Sequence, residues 1–357
     1  MKPFKDIKVI ELATVLAGPS VGMFFAELGA EVLKIENPLR LDVTRNWKLP
    51  SEDENKKTSA YFASVNYGKK FLKLNLKEKN DRQIFLNEIK TADILVTNFL
   101  KGKQERLKIP FSELQALNPK LIQVNITGYG ENTSKPAYDL VLQAETGFMS
   151  INGEPDGKPL KMPVALIDVL CAHQAKEAAL TALYLRQKNN RGGYYEINLY
   201  QSAVASLVNQ ASNYLNTGNV PQRIGSLHPN IAPYGETFLL RDGKYLVLAV
   251  GSDIQFQNLC KALQLENLIN DVRFSENHRR VCNREELFHI LSEKLQKFNS
   301  KEAEDLLTEK EVPHAVIRKI DEVFNNPLAK EMILSYEADR EKMYCVSSLS
   351  FRKKQDY

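Results

Sequence analysis

Long apolar runs are missing from this 357-residue chain, and with no stretch of 18 apolar residues a membrane-spanning helix is not expected. Cysteine is scarce. Cys171, Cys260, Cys282 and Cys345 stand far apart and none forms a CxxC pair, so neither structural zinc nor thioredoxin-like chemistry is expected. The first residues, MKPFKDIKVIEL, hold no positively charged segment leading into an apolar stretch, so no secretion signal is expected. A cytoplasmic protein with free thiols is the simplest expectation. Neither sign of charge dominates: 48 Lys and Arg face 44 Asp and Glu, a net charge of +4 that suits an anionic ligand without calling for nucleic acid. The basic runs Lys69-Lys70 and Arg352-Lys353-Lys354 are short and read as solvated surface. Internal repeats and low-complexity tracts are also absent.

Several signatures of chemistry are absent too. Without GxGxxG a standard dinucleotide site is poorly supported, and without a P-loop so is a kinase or ATPase. There is no GxSxG turn of the hydrolase type. His173, His228, His278, His289 and His314 are scattered, with no close pair and no HExxH, so no metal site is expected.

What is present is an ordinary globular balance, 43% hydrophobic and 26% charged, over a length that allows one large domain or two of usual size. Such a chain buries a substantial core without staples. The N-terminal half alternates strand-like and helix-like segments. Strands are expected at 8–12, 30–35, 71–76, 93–96 and 121–126, with helices at 21–28 and 78–91 and a helix-like LQAL before the last of these strands. This βαβ rhythm predicts an α/β fold with a mostly parallel sheet. A long Ala- and Leu-rich helix is expected over 168–185, then a strand at 195–198 and a helix over 201–215. Composition shifts near Gly218, where TGNVPQRIGSLHPNIAPYGE reads as a long loop. A hairpin turning at Asp242-Gly243 follows, and then helices over 254–263, 284–296 and 300–309. A smaller α+β domain is therefore expected at about 225–320, and the polar tail 351–357 is expected to be disordered.

Four local features carry possible chemistry. Leu16-Ala17-Gly18-Pro19 joins a strand to a helix; a glycine there lets backbone approach a ligand, and a helix N-terminus offers free N–H groups to an anion, although such turns are also purely structural. Asn98-Phe99 ends a strand, where ligands of open α/β sheets collect, and Arg106 follows; the ring could face a base and the guanidinium a phosphate, or the pair could be a helix cap and a surface ion pair. Asp168, in PVALIDVLCAHQAKEAAL, follows an apolar run and opens a helical one. It is either an N-cap or a carboxylate held next to substrate. His228, in GSLHPNIAPY, is open to reading as acid, base or packing group.

Taken in order, nine segments resemble the class III CoA-transferase family, the formyl-CoA transferase and carnitine-CoA transferase type that also includes 2-methylacyl-CoA racemases. They are VIELATVLAGPSVGMFFAELGAEVLKIENP, NYGKKFLKLNLK, ADILVTNFLKG, LNPKLIQVNITGYG, YDLVLQAETGFMSINGEPDGKP, ALIDVLCAHQAKEAALTALYLRQKNNRGGYYEINLYQS, HPNIAPYGETFLLRDGKYLVLAVGSDIQF, RFSENHRRVCNREEL and VPHAVIRKIDEVFNNPLAKE. Together they cover nearly the whole chain.

The resemblance implies a Rossmann-like large domain, 1–224 with a return segment at about 321–357, a small α+β domain at 225–320, and an interlaced homodimer. It implies transfer of CoA from an acyl-CoA to a free carboxylic acid, with coenzyme A as substrate and no tightly bound cofactor or metal. Asp168 falls on the family's catalytic aspartate. The CoA-contacting positions fall on Val15, Leu16, Ala17, Leu74, Lys77, Asn98, Phe99, Arg106 and Tyr200, and Arg45 matches an arginine that often follows the second strand. The implied route runs through an aspartyl mixed anhydride and an aspartyl-CoA thioester. Racemases of the family carry a histidine where this chain has Tyr138, just before Asp139. A phenol, with its much higher unperturbed pKa, is a poor base near neutrality. Some transferases carry a glycine-rich loop where Ile224-Gly225-Ser226-Leu227-His228-Pro229 stands here, which argues against a formyl–oxalate assignment. Asn75 replaces a usual aspartate. Arg45, Arg223 and His228 are the candidates for recognising a second carboxylate on a dicarboxylic substrate such as succinate.

Overall fold

The short apolar runs of the N-terminal half become strands of one parallel sheet. In the computed structural model, which describes residues 2–339 and 341–351, these are β1 (Lys8–Glu11), β2 (Glu31–Glu36), β3 (Lys70–Lys73), β4 (Ile94–Thr97), β5 (Ile122–Thr127) and β6 (Gly193–Asn198). They lie in the order β3-β2-β1-β4-β5-β6, and every pairing is parallel. The order reverses between β1 and β4. That switch point opens a crevice beyond the carboxyl ends of the two strands.

Both faces of the sheet are covered, which is why its central strands are buried almost throughout: β4 reads ILVT, and the polar side chains of β1 and β5 (Glu11, Gln123 and Asn125) are themselves buried. Val9, Ile94, Val96, Ile122 and Val124 face a core shared with the helices Ala17–Glu27 and Leu166–Asn189. Their neighbours Ile10 and Leu95 point the opposite way, as the two-residue period requires, into a core with Phe85, Ile89 and Leu114.

The chain divides into two compact units. One holds the chain up to Phe148, Lys161–Asn219 and the chain from Leu328 onward; the other holds Met149–Leu160 and Val220–Pro327. The second unit is built on an antiparallel sheet of β7 (Tyr234–Leu239), β8 (Tyr245–Ala249) and β9 (His314–Val316). Its core packs against the helices Asp253–Ala262, Arg284–Leu295 and Ser300–Glu309. The hairpin between β7 and β8 turns at the expected Asp242-Gly243, where Gly243 takes φ +77°.

Two local expectations needed adjustment, and one element was not anticipated. The first helix starts at Ala17, because Gly18 and Pro19 sit inside its first turn, where proline has no intrahelical N–H bond to lose. The helix expected over 201–215 is two, Leu199–Ala205 and Val208–Thr217. Ser206 and Leu207 bond back three residues, to Ala203 and Val204, and Val208 then takes φ +38°, which ends the regular ladder. The antiparallel hairpin of β10 (Ile333–Ala338) and β11 (Glu341–Val346) was not anticipated. The tail expected to be disordered lies outside the described residues from 352 on. Among the described residues, no helix is long and apolar enough to cross a membrane.

Candidate active site

The crevice at the switch point holds a cavity of about 270 Å3. Its wall is made by the segments that leave the sheet: Thr14 to Ala17 after β1, Asn98 to Leu100 after β4, and Ile126 to Gly128 at the end of β5. Pro136 to Tyr138, Asp168 and Leu199 complete it.

The loop after β1 is held residue by residue. Lys34 Nζ donates to the Ala13 carbonyl at 2.7 Å. Asn98 Oδ1 accepts the Thr14 N–H at 3.3 Å, and its Nδ2 donates to the Thr14 carbonyl at 3.0 Å. Both oxygens of Asp42 accept the Val15 N–H at 3.3 Å. These clamps keep Val15 at φ +73°, a left-handed conformation that a β-branched residue does not adopt unaided. Lys34 itself is fully buried and pairs with Glu11 at 2.9 Å and Asp42 at 3.1 Å. Gly18 is required here because a Cβ would stand 2.3 Å from the Ala13 side chain. The loop thus feeds a helix whose first N–H groups, at Ala17 and Gly18, have no intrahelical acceptor.

Asp168 is the third residue of the 24-residue helix Leu166–Asn189. It is not the N-cap. Ala165 holds that place and its side chain caps nothing; the Ile167 N–H is instead accepted by Asp139 Oδ1, at 2.7 Å, from 28 residues upstream. Asp168 is 7% exposed, and among the described residues nothing hydrogen-bonds its carboxylate. Burial, helped by the charge of Asp139, pushes its pKa up to about 7. Tyr61 senses the same charges: burial, then Asp168, Asp139 and Asp42, push its phenol up to about 12.

Beyond Phe99 lies a group of cations. Lys103 Nζ stands 4.4 Å from the centre of the Phe99 ring. Burial, then the charges of Arg40 and Arg106, hold its pKa below the ordinary lysine range. Among the described residues no carboxylate pairs with Arg40, Lys103 or Arg106.

Of the residues singled out in the sequence, Val15, Leu16, Ala17, Asn98, Phe99 and Asp168 share the cavity wall. Arg106 is exposed on the short helix Lys103–Leu107, and Lys77 is exposed after β3. Tyr200 is 39% exposed, its N–H bonded to the Gly128 carbonyl on the cavity wall. Leu74 is a buried core residue. Arg45 is not free for a ligand: it donates to both Glu36 oxygens (3.0 and 2.6 Å) and to Asp339 (2.8 Å), and its guanidinium lies 3.9 Å from the centre of the Phe62 ring. In the second unit, His228 Nδ1 accepts the Asn230 N–H at 3.1 Å, and Arg284 donates to the carbonyls of His228 and Ile231, so this loop is internally braced. Arg40 and Lys103 were missed in the sequence, and Asp139 was noted only as the neighbour of Tyr138, not as a partner of the Asp168 helix. The basic residues flanking Phe99 were the available signal for Lys103; nothing local pointed to the bond of Asp139 to Ile167, 28 residues away.

Comparison with known proteins agrees with this geometry. The family model of CoA-transferase family III matches residues 4–353. A succinate–glutarate CoA-transferase from Agrobacterium fabrum is 37% identical over 95% of this chain and 86% of its own length. An acetyl-CoA:oxalate CoA-transferase from Acetobacter aceti is 34% identical over 93% and 85%. A CAIB/BAIF family protein from Brucella suis superposes with a TM-score of 0.84 at 32% identity, covering 99% of this chain and 94% of that one. With the match running almost from end to end, the chain belongs to CoA-transferase family III and is an enzyme that transfers CoA between acyl-CoA thioesters and carboxylic acids.

Proposed function

We propose that Asp168 carries the acyl group and then CoA itself during this transfer. The observation that carries the reading is a carboxylate that is buried, unpaired among the described residues, and open to a cavity at the sheet's switch point. A carboxylate stripped of water and hydrogen bonds is a stronger nucleophile once ionised, and a pKa near 7 leaves a large ionised fraction at neutrality.

The steps balance without ATP or metal. The Asp168 carboxylate attacks the thioester carbonyl, the C–S bond breaks, and a mixed anhydride and CoA thiolate form. The thiolate attacks the aspartyl carbonyl, releasing the donor acid and leaving an aspartyl-CoA thioester. The acceptor carboxylate attacks that thioester, giving a second anhydride and thiolate. The thiolate then takes the acceptor's acyl group and frees Asp168. Each attack builds an oxyanion, and the free N–H groups at Ala17 and Gly18, in the clamped loop and helix start, are suited to stabilise it.

Val15, Leu16, Ala17, Asn98 and Phe99 then border the pantetheine arm, while Arg106 and Lys77 supply charge for the phosphates. Tyr200 flanks the same edge. Holding the nucleotide end keeps the released thiolate close to the anhydride. Dicarboxylates of the succinate and glutarate class are the proposed acids, following the substrates named for the Agrobacterium relative. A homodimer is proposed as the working form; the strongly exposed Val208, Tyr214 and Leu215 on one helix, with Tyr184 on the long helix, are apolar surface of the kind that association covers.

The test is mass spectrometry after incubation with succinyl-CoA. Wild-type protein should carry a CoA adduct, or hydroxylamine-sensitive label, on the peptide containing Asp168. Asp168→Ala should lose transfer activity while retaining CoA binding; persistence of transfer in that variant refutes the assignment.

A further inference from the structure

The segment that delivers Asp168 into the cavity is held from a distance by two side chains. The helix Asp139–Glu145 places Asp139 and Gln143 one turn apart on one face. Gln143 is fully buried. Its Oε1 accepts the Met162 N–H at 2.8 Å, and its Nε2 donates to Asp139 Oδ2 at 2.7 Å, with the carbonyls of Met162 and Val164 at 3.4 and 3.5 Å. The other oxygen of Asp139 accepts the N–H of Ile167, the residue before Asp168, at 2.7 Å.

Capping alone does not account for a carboxylate at this position. A helix without its own N-cap gains about 1 kcal/mol from an outside acceptor, and a neutral Asn or Ser serves as well as Asp. A second negative charge beside the buried Asp168 disfavours its ionised form. A charge that a neutral cap would have avoided, placed next to the reacting group, points to function rather than to folding.

We propose that Asp139, bracketed by Gln143, is a positioning residue for acyl transfer: through Ile167 it fixes the first turn of the long helix and so the direction from which Asp168 attacks. This rests on the reading of Asp168 as the acyl carrier. The charge adds a second effect. Acylation of Asp168 removes its negative charge and relieves the repulsion from Asp139, so the resting carboxylate is raised in energy relative to the anhydride and thioester states. The groups facing Asp168 are Asp139, Tyr61 from the helix Ala60–Ala63, and Cys171 from the next turn of its own helix, with Tyr138 on the same cavity wall.

The experiment compares wild type with Asp139→Asn, Asp139→Ala and Gln143→Leu in the full chain, using succinyl-CoA as donor and glutarate as acceptor. It reads kcat, KM for succinyl-CoA, the acid limb of kcat/KM and the adduct on Asp168. Asp139→Ala should lower kcat at least tenfold with KM within twofold. Asp139→Asn keeps an oxygen for the Ile167 N–H but removes the charge, so the acid limb should move to lower pH. Gln143→Leu controls for the bond that an amide at 139 gives up, and should lower kcat without moving the acid limb. If Asp139→Ala does not fold, Asp139→Asn decides. An unmoved acid limb together with kcat within twofold of wild type overturns the positioning role while the Asp168 adduct still forms. A wild-type enzyme that forms no adduct on Asp168 overturns the acyl-carrier reading, and this role with it.

Discussion

Asn98 grips the backbone of Thr14 at both ends, accepting its N–H at 3.3 Å and donating to its carbonyl at 3.0 Å. The two residues leave neighbouring strands at the switch point, so this pair joins the two loops that frame the cavity. The Asn98 amide is thereby engaged with protein, so under the proposed reading it acts on CoA only through the shape of the wall. Replacing Asn98 with Ala removes both bonds but leaves the Lys34 and Asp42 clamps in place. The expected outcome is a rise in KM for acyl-CoA of about tenfold, matching a loss of roughly 1–2 kcal/mol, with thermal stability reduced only slightly. Steady-state kinetics with a donor-concentration series check this.

Asp168 gives a prediction in pH. Its pKa is raised from 3.8 to about 7 by burial and by Asp139, so ionising it costs the folded state more than the unfolded chain. Between about pH 4 and pH 7 the unfolded chain has lost this proton and the folded one has not, so this group lowers stability as pH rises through that window. Above pH 7 the penalty is complete and constant. Asp168→Asn should therefore be more stable than wild type, by a margin in melting temperature that grows from pH 4 to pH 7 and is flat above. The same titration predicts that kcat/KM of the wild type rises with pH to a plateau, with its acid limb near pH 7. A margin independent of pH would contradict the assignment of this shift to Asp168.

The sequence disclosed local features better than distant ones. Apolar runs bounded by turns gave most strands of the parallel sheet, and Gly18 between strand and helix marked the turn that the cavity needs. Asp168 stood out as a carboxylate in apolar company, but its two local readings could not be separated, because the residue that caps its helix is Asp139. The Asn98–Thr14 pair spans 84 positions and the Arg45–Asp339 pair 294, and no periodicity encodes either. The hairpin of β10 and β11 was hidden for a related reason. Ser335 and Glu337 do alternate with Leu334, Tyr336 and Ala338, but the exposed Ile333, Tyr344 and Val346 blur that alternation, and the hairpin is held by pairing with itself and by the contact of Tyr336 with the Ala63 carbonyl. Lys103 was not singled out in the sequence; only the fold places it over the Phe99 ring.

Arg40, Lys103 and Arg106 define a prediction about charge. Three cations without carboxylate partners among the described residues, gathered beside Phe99, suit the phosphates of CoA rather than the small acid. Lys103→Gln and Arg106→Gln should each raise KM for acyl-CoA by about tenfold or more, the expected loss of one charge-assisted hydrogen bond. KM for the free acid should stay within twofold. A donor trimmed to acyl-pantetheine, which lacks these phosphates, should be turned over with the same KM by wild type and variants. Equal losses on both donors would place these side chains in the fold instead.

Arg45 supplies the sharpest contrast between a family expectation and the observed packing. Its guanidinium faces Glu36, Asp339 and the Phe62 ring, and Thr58 also donates to the same Asp339 oxygen at 2.8 Å. Arg45→Met leaves two carboxylates without their shared cation, one of them buried, and should destabilise the protein by about 3 kcal/mol. Burial pushes the Asp339 carboxyl up, but the bonds from Thr58 and Arg45 outweigh it and hold the group below the usual carboxylate range. A depressed pKa contributes stability above the unfolded value and loses it as pH falls through the folded one. The gap between wild type and Arg45→Met should therefore be widest near neutrality and shrink below about pH 4. Thermal denaturation across pH measures the gap, and kinetics on the folded fraction should return an unchanged KM for acyl-CoA. A raised KM with unaltered stability would return Arg45 to the ligand.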